Sequence, residues 1–232
     1  MNKADGFIIL RDNPLEMLYF NRDGSLAPMC GNGVRCFAKF GFDLGIIKDK
    51  NFVVKTTSGN VNLEITSIKP FTVKVDLGKP YFAPEKLGIH SQNNQFINEI
   101  ISIGDTNISV NEVFMNTHHL VIFLEAFNDI LELAEEIHCH PIFTEKINVN
   151  FVKVVNNHKL IIKTYERGVG WTLACGTGAA SAYVIGKILG YINDYADVES
   201  IGGILRISSV NEHIIMEGPV ITVKEPKYES TT

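Results

Sequence analysis

The chain has 232 residues, 45% of them hydrophobic and 20% charged, and a net charge of -5. That is the make-up of an ordinary globular protein, long enough for one large domain or two modest ones. The acidic balance and the lack of a Lys/Arg cluster argue against nucleic acid as a partner, and no run of about 18 apolar residues is present to span a membrane. Met1-Asn2-Lys3-Ala4-Asp5-Gly6 lacks the apolar core of a signal peptide, so a cytoplasmic location with the four cysteines reduced is expected.

In chain order, Phe7 to Leu10 and Met17 to Phe20 predict two strands about the turn Arg11-Asp12-Asn13-Pro14. Asn21-Arg22-Asp23-Gly24-Ser25 is a second turn, leading through Pro28 to Cys30. Val34, Phe37, Ala38, Gly41 and Leu44 fall at helical spacing, with Gly45 as a stop. Strands are expected over 52–54, 61–65 and 71–77, a boundary at Gly78-Lys79-Pro80, and an irregular loop over 86–100. Further strands are expected over 101–103 and 108–110. The segment 113–123 reads as one strand interrupted by Asn116-Thr117-His118-His119, polar groups that must find hydrogen bonds in an apolar run. A helix is expected over 130–137. His138-Cys139-His140 resembles a metal fragment but has no second ligand pair, so no metal is expected. Strands over 147–152 and 160–165 flank an Asn156-Asn157 turn and deliver Glu166-Arg167 just ahead of Cys175. A buried helix over 179–189 follows, then strands over 204–207, 214–216 and 220–223.

One turn occurs twice. Met29-Cys30-Gly31-Asn32-Gly33-Val34-Arg35 and Ala174-Cys175-Gly176-Thr177-Gly178-Ala179-Ala180 are both Cys-Gly-polar-Gly turns that open into apolar runs, with their cysteines 145 positions apart. The repeat points to an internal duplication in which each half presents a thiol at the start of a helix. A free thiol titrates near pH 8.5, and a helix N-terminus favours the anion. Moving it to about pH 7 takes roughly 2 kcal/mol. Two thiols on opposite faces of one carbon suit stereochemical inversion, one removing a proton while the other returns one. Two helix N-termini would hold the neighbouring carboxylate. No cofactor fingerprint is present, so the protein's own groups would act on a small amino-acid substrate without a cofactor.

These motifs resemble the diaminopimelate epimerases. The most specific pieces are Asn21-x-Asp23-Gly24-Ser25 through Cys30-Gly31-Asn32-Gly33-x-Arg35-Cys36, and Tyr165-Glu166-Arg167-Gly168-x-Gly170 through Ala174-Cys175-Gly176-Thr177-Gly178-Ala179. The resemblance implies an acid/base pair, Cys30 and Cys175, with His118 beside the first and Glu166 beside the second. It places substrate contacts on Asn21, Gly31, Asn32, Asn116, Asn148, Glu166, Arg167, Gly176 and Thr177. It implies an α+β fold of two pseudo-symmetric halves, each a strand-rich barrel around a central helix, with the site in the cleft. One half would comprise 1–79 plus a returning strand over 220–232, the other 80–219, and a homodimer would be in keeping with the resemblance. The family's opening strand with its Gly-Asn-Asp-Phe motif has no match here. Its Gly-Asn-Pro-His is Met115-Asn116-Thr117-His118, and Trp171 and Leu26 stand where Glu is usual. A racemase of another amino acid, a thiol redox protein and a non-catalytic remnant are the alternative readings.

Overall fold

The structure, a computed structural model, describes residues 6–21, 23–27, 30–82, 89, 95–127 and 129–223. Among these residues the helices are α1 (Gly31–Asp43), α2 (Ala134–His138, which continues a 3-10 turn over Asp129–Leu133) and α3 (Gly176–Ile188).

α1 and α3 are two copies of one device, each 13 residues long. Their N-caps, Cys30 and Cys175, have φ/ψ of -132°/115° and -128°/115°, and their C-caps, Leu44 and Leu189, have -79°/-5° and -80°/-1°. Gly45 and Gly190 then take the left-handed conformation (φ +69° and +77°) that ends a helix at little cost only in glycine. Beyond that stop, the amides of Ile46 and Ile47 return to the Gly41 carbonyl, as those of Tyr191 and Ile192 do to Gly186. The copies differ in depth. α3 is buried at nearly every position from Gly176 to Gly186, whereas α1 leaves Phe40 half exposed.

The strands repeat as the helices do. They are β1 (Gly6–Arg11), β2 (Glu16–Asn21), β3 (Leu26–Ala27), β4 (Asn51–Thr56), β5 (Gly59–Ile68), β6 (Phe71–Asp76), β7 (Glu99–Ile103), β8 (Thr106–Phe114), β9 (His118–Phe123), β10 (Asn148–Asn156), β11 (Lys159–Glu166), β12 (Gly170–Thr172), β13 (Tyr195–Ser200), β14 (Gly203–Val210) and β15 (His213–Pro219). In the first half an antiparallel hairpin (β1-β2) steps in parallel to β4 and on through an antiparallel meander (β4-β5-β6). In the second, β10-β11 steps in parallel to β13 and the meander β13-β14-β15. β15 pairs with β14 on one side and β6 on the other, so one continuous sheet joins the halves. β7, β8 and β9 extend the second half and have no counterpart among the described residues of the first.

Alternation decides which face each strand buries. In β6, Phe71, Val73 and Val75 are buried while Thr72, Lys74 and Asp76 face outward. These strands pack around α1 and α3 in one apolar core, from Val34 and Phe37 to Ala180 and Tyr183. A second core lies on the other face of β7 to β10, beneath α2, and includes Phe96, Leu120, Ile137 and Phe151.

Several sequence expectations need correction. The segment 113–123 is a hairpin: β8 and β9 pair antiparallel, and the polar residues make the turn, with Asn116 at φ +62° and the Met115 amide on the Thr117 carbonyl. Asn tolerates that left-handed conformation better than most residues. The strand between the halves is β15, not 220–223; the ladder stops at Pro219, and residues 220–223 form no strand. Of the expected returning segment, 224–232 lies outside the described residues. The expected loop over 86–100 falls partly outside them too; in its described part Phe96 is buried and β7 starts at Glu99. β3, β12 and β13 were not anticipated.

Candidate active site

The N-termini of α1 and α3 meet over one side chain of the joining strand, Met216. A Cβ on Gly31 would lie 3.1 Å from Met216 Cε, and one on Gly176 would lie 2.8 Å from its Sδ and 3.8 Å from Asn32 Oδ1. Only glycine allows the backbone that close. Beneath this junction lies Arg35, 7% exposed. Its Nη1 donates to the Gly31 carbonyl (3.1 Å) and lies 3.5 Å from Met216 Sδ, and its Nη2 donates to Asn32 Oδ1 (3.0 Å). The duplication thus brings Cys30-Gly31-Asn32 and Cys175-Gly176-Thr177 to one place, each thiol one residue before a buried glycine.

The two thiols differ in their surroundings. Cys30 Sγ caps its own helix, accepting from the Gly33 amide at 3.3 Å. Cys175 Sγ lies 3.5 Å from Thr177 Oγ1. Burial, with the Glu166 carboxylate adding to it, pushes the Cys175 thiol up to about 12, while Thr177 and the Gly178 amide pull the other way. Glu166, expected beside Cys175, thus lies near enough to act on its thiol.

His118 turns Nδ1 toward Glu112 Oε1, 3.1 Å away, on the neighbouring strand. Glu112 is fully buried, and that burial raises its carboxyl to about 7, with His118 opposing the shift. The adjacent His119 is also fully buried. It lies against Thr177 Oγ1 (Nε2, 2.9 Å) and the Asn150 amide (Nδ1, 3.1 Å), and burial holds it down to about 3.

Asn148 ties two segments together. Its Nδ2 donates to the His118 carbonyl (2.8 Å) and its Oδ1 accepts from the Arg167 amide (2.9 Å). Arg167 Nη1 donates to Glu145 at 2.6 Å, on the surface. Asn116 Nδ2 donates to the Leu77 carbonyl (3.2 Å). Asn21 remains exposed in its turn, donating to Ser25 Oγ (3.0 Å).

Thus Gly31, Asn32, Gly176, Thr177, Cys175 and Glu166 are linked by the contacts above, and Asn148 joins the backbones of His118 and Arg167, while the side chains of Asn116 and Asn21 bond Leu77 and Ser25. Sequence reasoning missed Glu112, His119, Asn150 and Met216 as participants. The signal for the first three was a polar residue inside an otherwise apolar strand. Met216 left no signal, since only the meeting of the two halves gives it a role. His138 Nδ1 bonds the Ile147 carbonyl and Cys139 Sγ faces Glu135, so the His-Cys-His fragment serves packing and surface contacts. Among the described residues no group of three His, Cys, Asp or Glu side chains is placed to hold a metal ion. Trp171 lines a separate cavity of about 390 Å³ and packs edge-on to Tyr165, with ring centres 5.4 Å apart.

Comparison with known proteins agrees with this architecture. A solved structure described as a probable proline racemase from Agrobacterium radiobacter superposes with a TM-score of 0.67 at 13% identity, covering 97% of this chain and 76% of that one. The two proteins share one fold, a doubled strand-and-helix unit. The profile of the family described as diaminopimelate epimerase matches residues 2–83 and 113–223. Two proteins named diaminopimelate epimerase are close in sequence. The one from Alkaliphilus metalliredigens is 38% identical over 224 residues (93% of this chain, 79% of that protein), and the one from Methanocella arvoryzae is 40% identical over 230 residues (96% and 80%). The chain belongs to the diaminopimelate epimerase family, and is an isomerase.

Proposed function

We propose that the chain interconverts LL- and meso-2,6-diaminopimelate by proton transfer at one α-carbon, with Cys30 and Cys175 as the two acid/base groups and no cofactor. The observation that carries this reading is the 145-residue repeat, which makes each cysteine the N-cap of a 13-residue helix and brings the two helix starts together over Met216. One thiolate takes the α-proton, the electron pair passes into the carboxylate-stabilised carbanion, and the opposite thiol gives its proton to the other face. Sulfur on one side ends protonated and on the other ends as thiolate, so the reverse reaction starts from the product of the forward one.

The amides at the starts of α1 and α3 supply the charge stabilisation that the carbanion needs, through Gly31, Asn32, Gly176 and Thr177. In this reading Glu166 is the proton partner of Cys175 and His118 that of Cys30, with Asn21, Asn116, Asn148 and Arg167 as substrate contacts. The high proton affinity of Cys175 suits the group that starts as the acid, since burial keeps it a thiol until substrate enters. All four cysteines are free thiols, in keeping with work in a reducing cytoplasm.

The test is to incubate the protein with LL-diaminopimelate in D₂O and follow the α-proton by NMR. The reading expects meso product carrying deuterium at the inverted carbon. Product without deuterium, or no exchange at all with a folded protein, contradicts it. The same assay with other amino acids defines the substrate range.

A further inference from the structure

His119 is a fully buried histidine that the mechanism above does not use, one side chain removed from Cys175. Its hydrogen-bond partners fix its proton. The Asn150 amide nitrogen has two hydrogens: one goes to the Leu120 carbonyl (2.9 Å), which can only accept, and the other points at His119 Nδ1 (3.1 Å). Turning the Asn150 amide over would set two acceptors against each other at Leu120. Asn150 Oδ1 instead accepts from Thr164 Oγ1 (3.0 Å). Nδ1 is therefore an acceptor, and in a neutral ring the proton sits on Nε2. That N–H faces Thr177 Oγ1 at 2.9 Å. Having accepted there, the Thr177 hydroxyl has its own hydrogen to give, and Cys175 Sγ is 3.5 Å away.

We propose that His119 is a positioning residue for Cys175: its Nε2–H holds the Thr177 oxygen so that the hydroxyl hydrogen points at Sγ and stabilises the thiolate. The inference rests on the reading of Cys175 as an acid/base group. The line Thr164–Asn150–His119–Thr177–Cys175 runs from β11 through β10 and β9 to the start of α3, so the rigid sheet sets the direction of one hydroxyl. The other ionisable groups acting on these two are Glu166, at the end of β11, on Cys175 and His118, at the start of β9, on His119. Burial keeps His119 neutral, so the orientation holds across the working pH range. A histidine buried for packing alone would give its variants a stability change and nothing else.

The test compares His119→Met, which fills the space without a donor, with His119→Gln, which keeps an N–H. Alkylation of Cys175 by iodoacetamide is followed peptide by peptide, so that Cys30, Cys36 and Cys139 are counted apart, from pH 7 to 9. Below a thiol's pKa this rate is proportional to the thiolate fraction. The proposal expects H119M to slow Cys175 alkylation about tenfold, equivalent to one pH unit, with Cys30 unchanged and H119Q within about threefold of the parent. Folded H119M alkylating at the parent rate, or H119Q slowed as much as H119M, overturns it. Nitrogen-15 NMR of the histidine-labelled parent protein decides the matter without any variant: protonated Nε2 and bare Nδ1 at His119 are required, and the reverse tautomer overturns the proposal. Failure of the underlying reading looks different, because protein alkylated only at Cys175 would then keep its epimerase activity.

Discussion

Met216 and Gly176 stand so close that a methyl group on the glycine would lie 2.8 Å from the methionine sulfur. The same side chain lies under Gly31, so one residue of the shared strand sets the distance between the two helix starts. Met216 is fully buried. Met216→Ala is expected to cost about 2–5 kcal/mol and to lower turnover beyond that loss, because the two thiol-bearing turns lose their common support. Met216→Leu, which conserves volume, should cost less than about 1.5 kcal/mol and keep most activity. Urea midpoints and turnover on the same preparations check both.

The Glu112 carboxyl, raised by burial from an ordinary 4.5 to about 7, gives a pH signature with a definite sign. Between those values the unfolded chain has released a proton that the folded chain still holds, so the stability from this group falls as pH rises. Glu112→Gln keeps an oxygen for His118 and removes the titration. The variant should gain on the parent through this window, levelling off near pH 7 at an advantage of about 3 kcal/mol, taking about 1.4 kcal/mol per unit. Denaturant midpoints from pH 4.5 to 8 test it; parallel curves for parent and variant would contradict it.

His119 gives the opposite slope. Its folded value of about 3 lies below the ordinary 6.5, so its contribution is intact above pH 6.5 and is lost as pH falls toward 3, where the unfolded chain takes up a proton that the folded chain refuses. From pH 4.5 to 6.5 the two buried groups oppose each other in the parent protein. Glu112→Gln should therefore expose a stability that climbs with pH in that interval, and His119→Met one that declines. The same denaturant series reads both.

The repeated Cys-Gly turns were legible in the sequence because glycine, cap and apolar run recur at a fixed interval, and local chemistry alone makes each turn a helix start. Alternation made β5 and β6 legible in the same way. What escaped was set by distant partners. Tyr195 to Ser200 alternates with Ala, Asp and Glu and reads as polar until β11 and β14 flank it. The 113–123 segment read as one strand because its turn rests on the backbone of Asn116, which composition does not reveal. Glu112 and His119 acquire meaning from His118, from Asn150, 31 positions away, and from Thr177, 58 positions away. The sequence marked them only as polar residues in apolar runs.

The most direct test of the central claim is α-carbon exchange in D₂O by Cys30→Ser and Cys175→Ser, each assayed from LL- and from meso-diaminopimelate with the fold verified by thermal melting. Loss of a positioned acid/base group removes about 10²–10⁴ in rate, so each variant should lose inversion in both directions by at least about a hundredfold. Either variant inverting its substrate at near the parent rate in both directions would contradict the pairing of two thiols across one carbon.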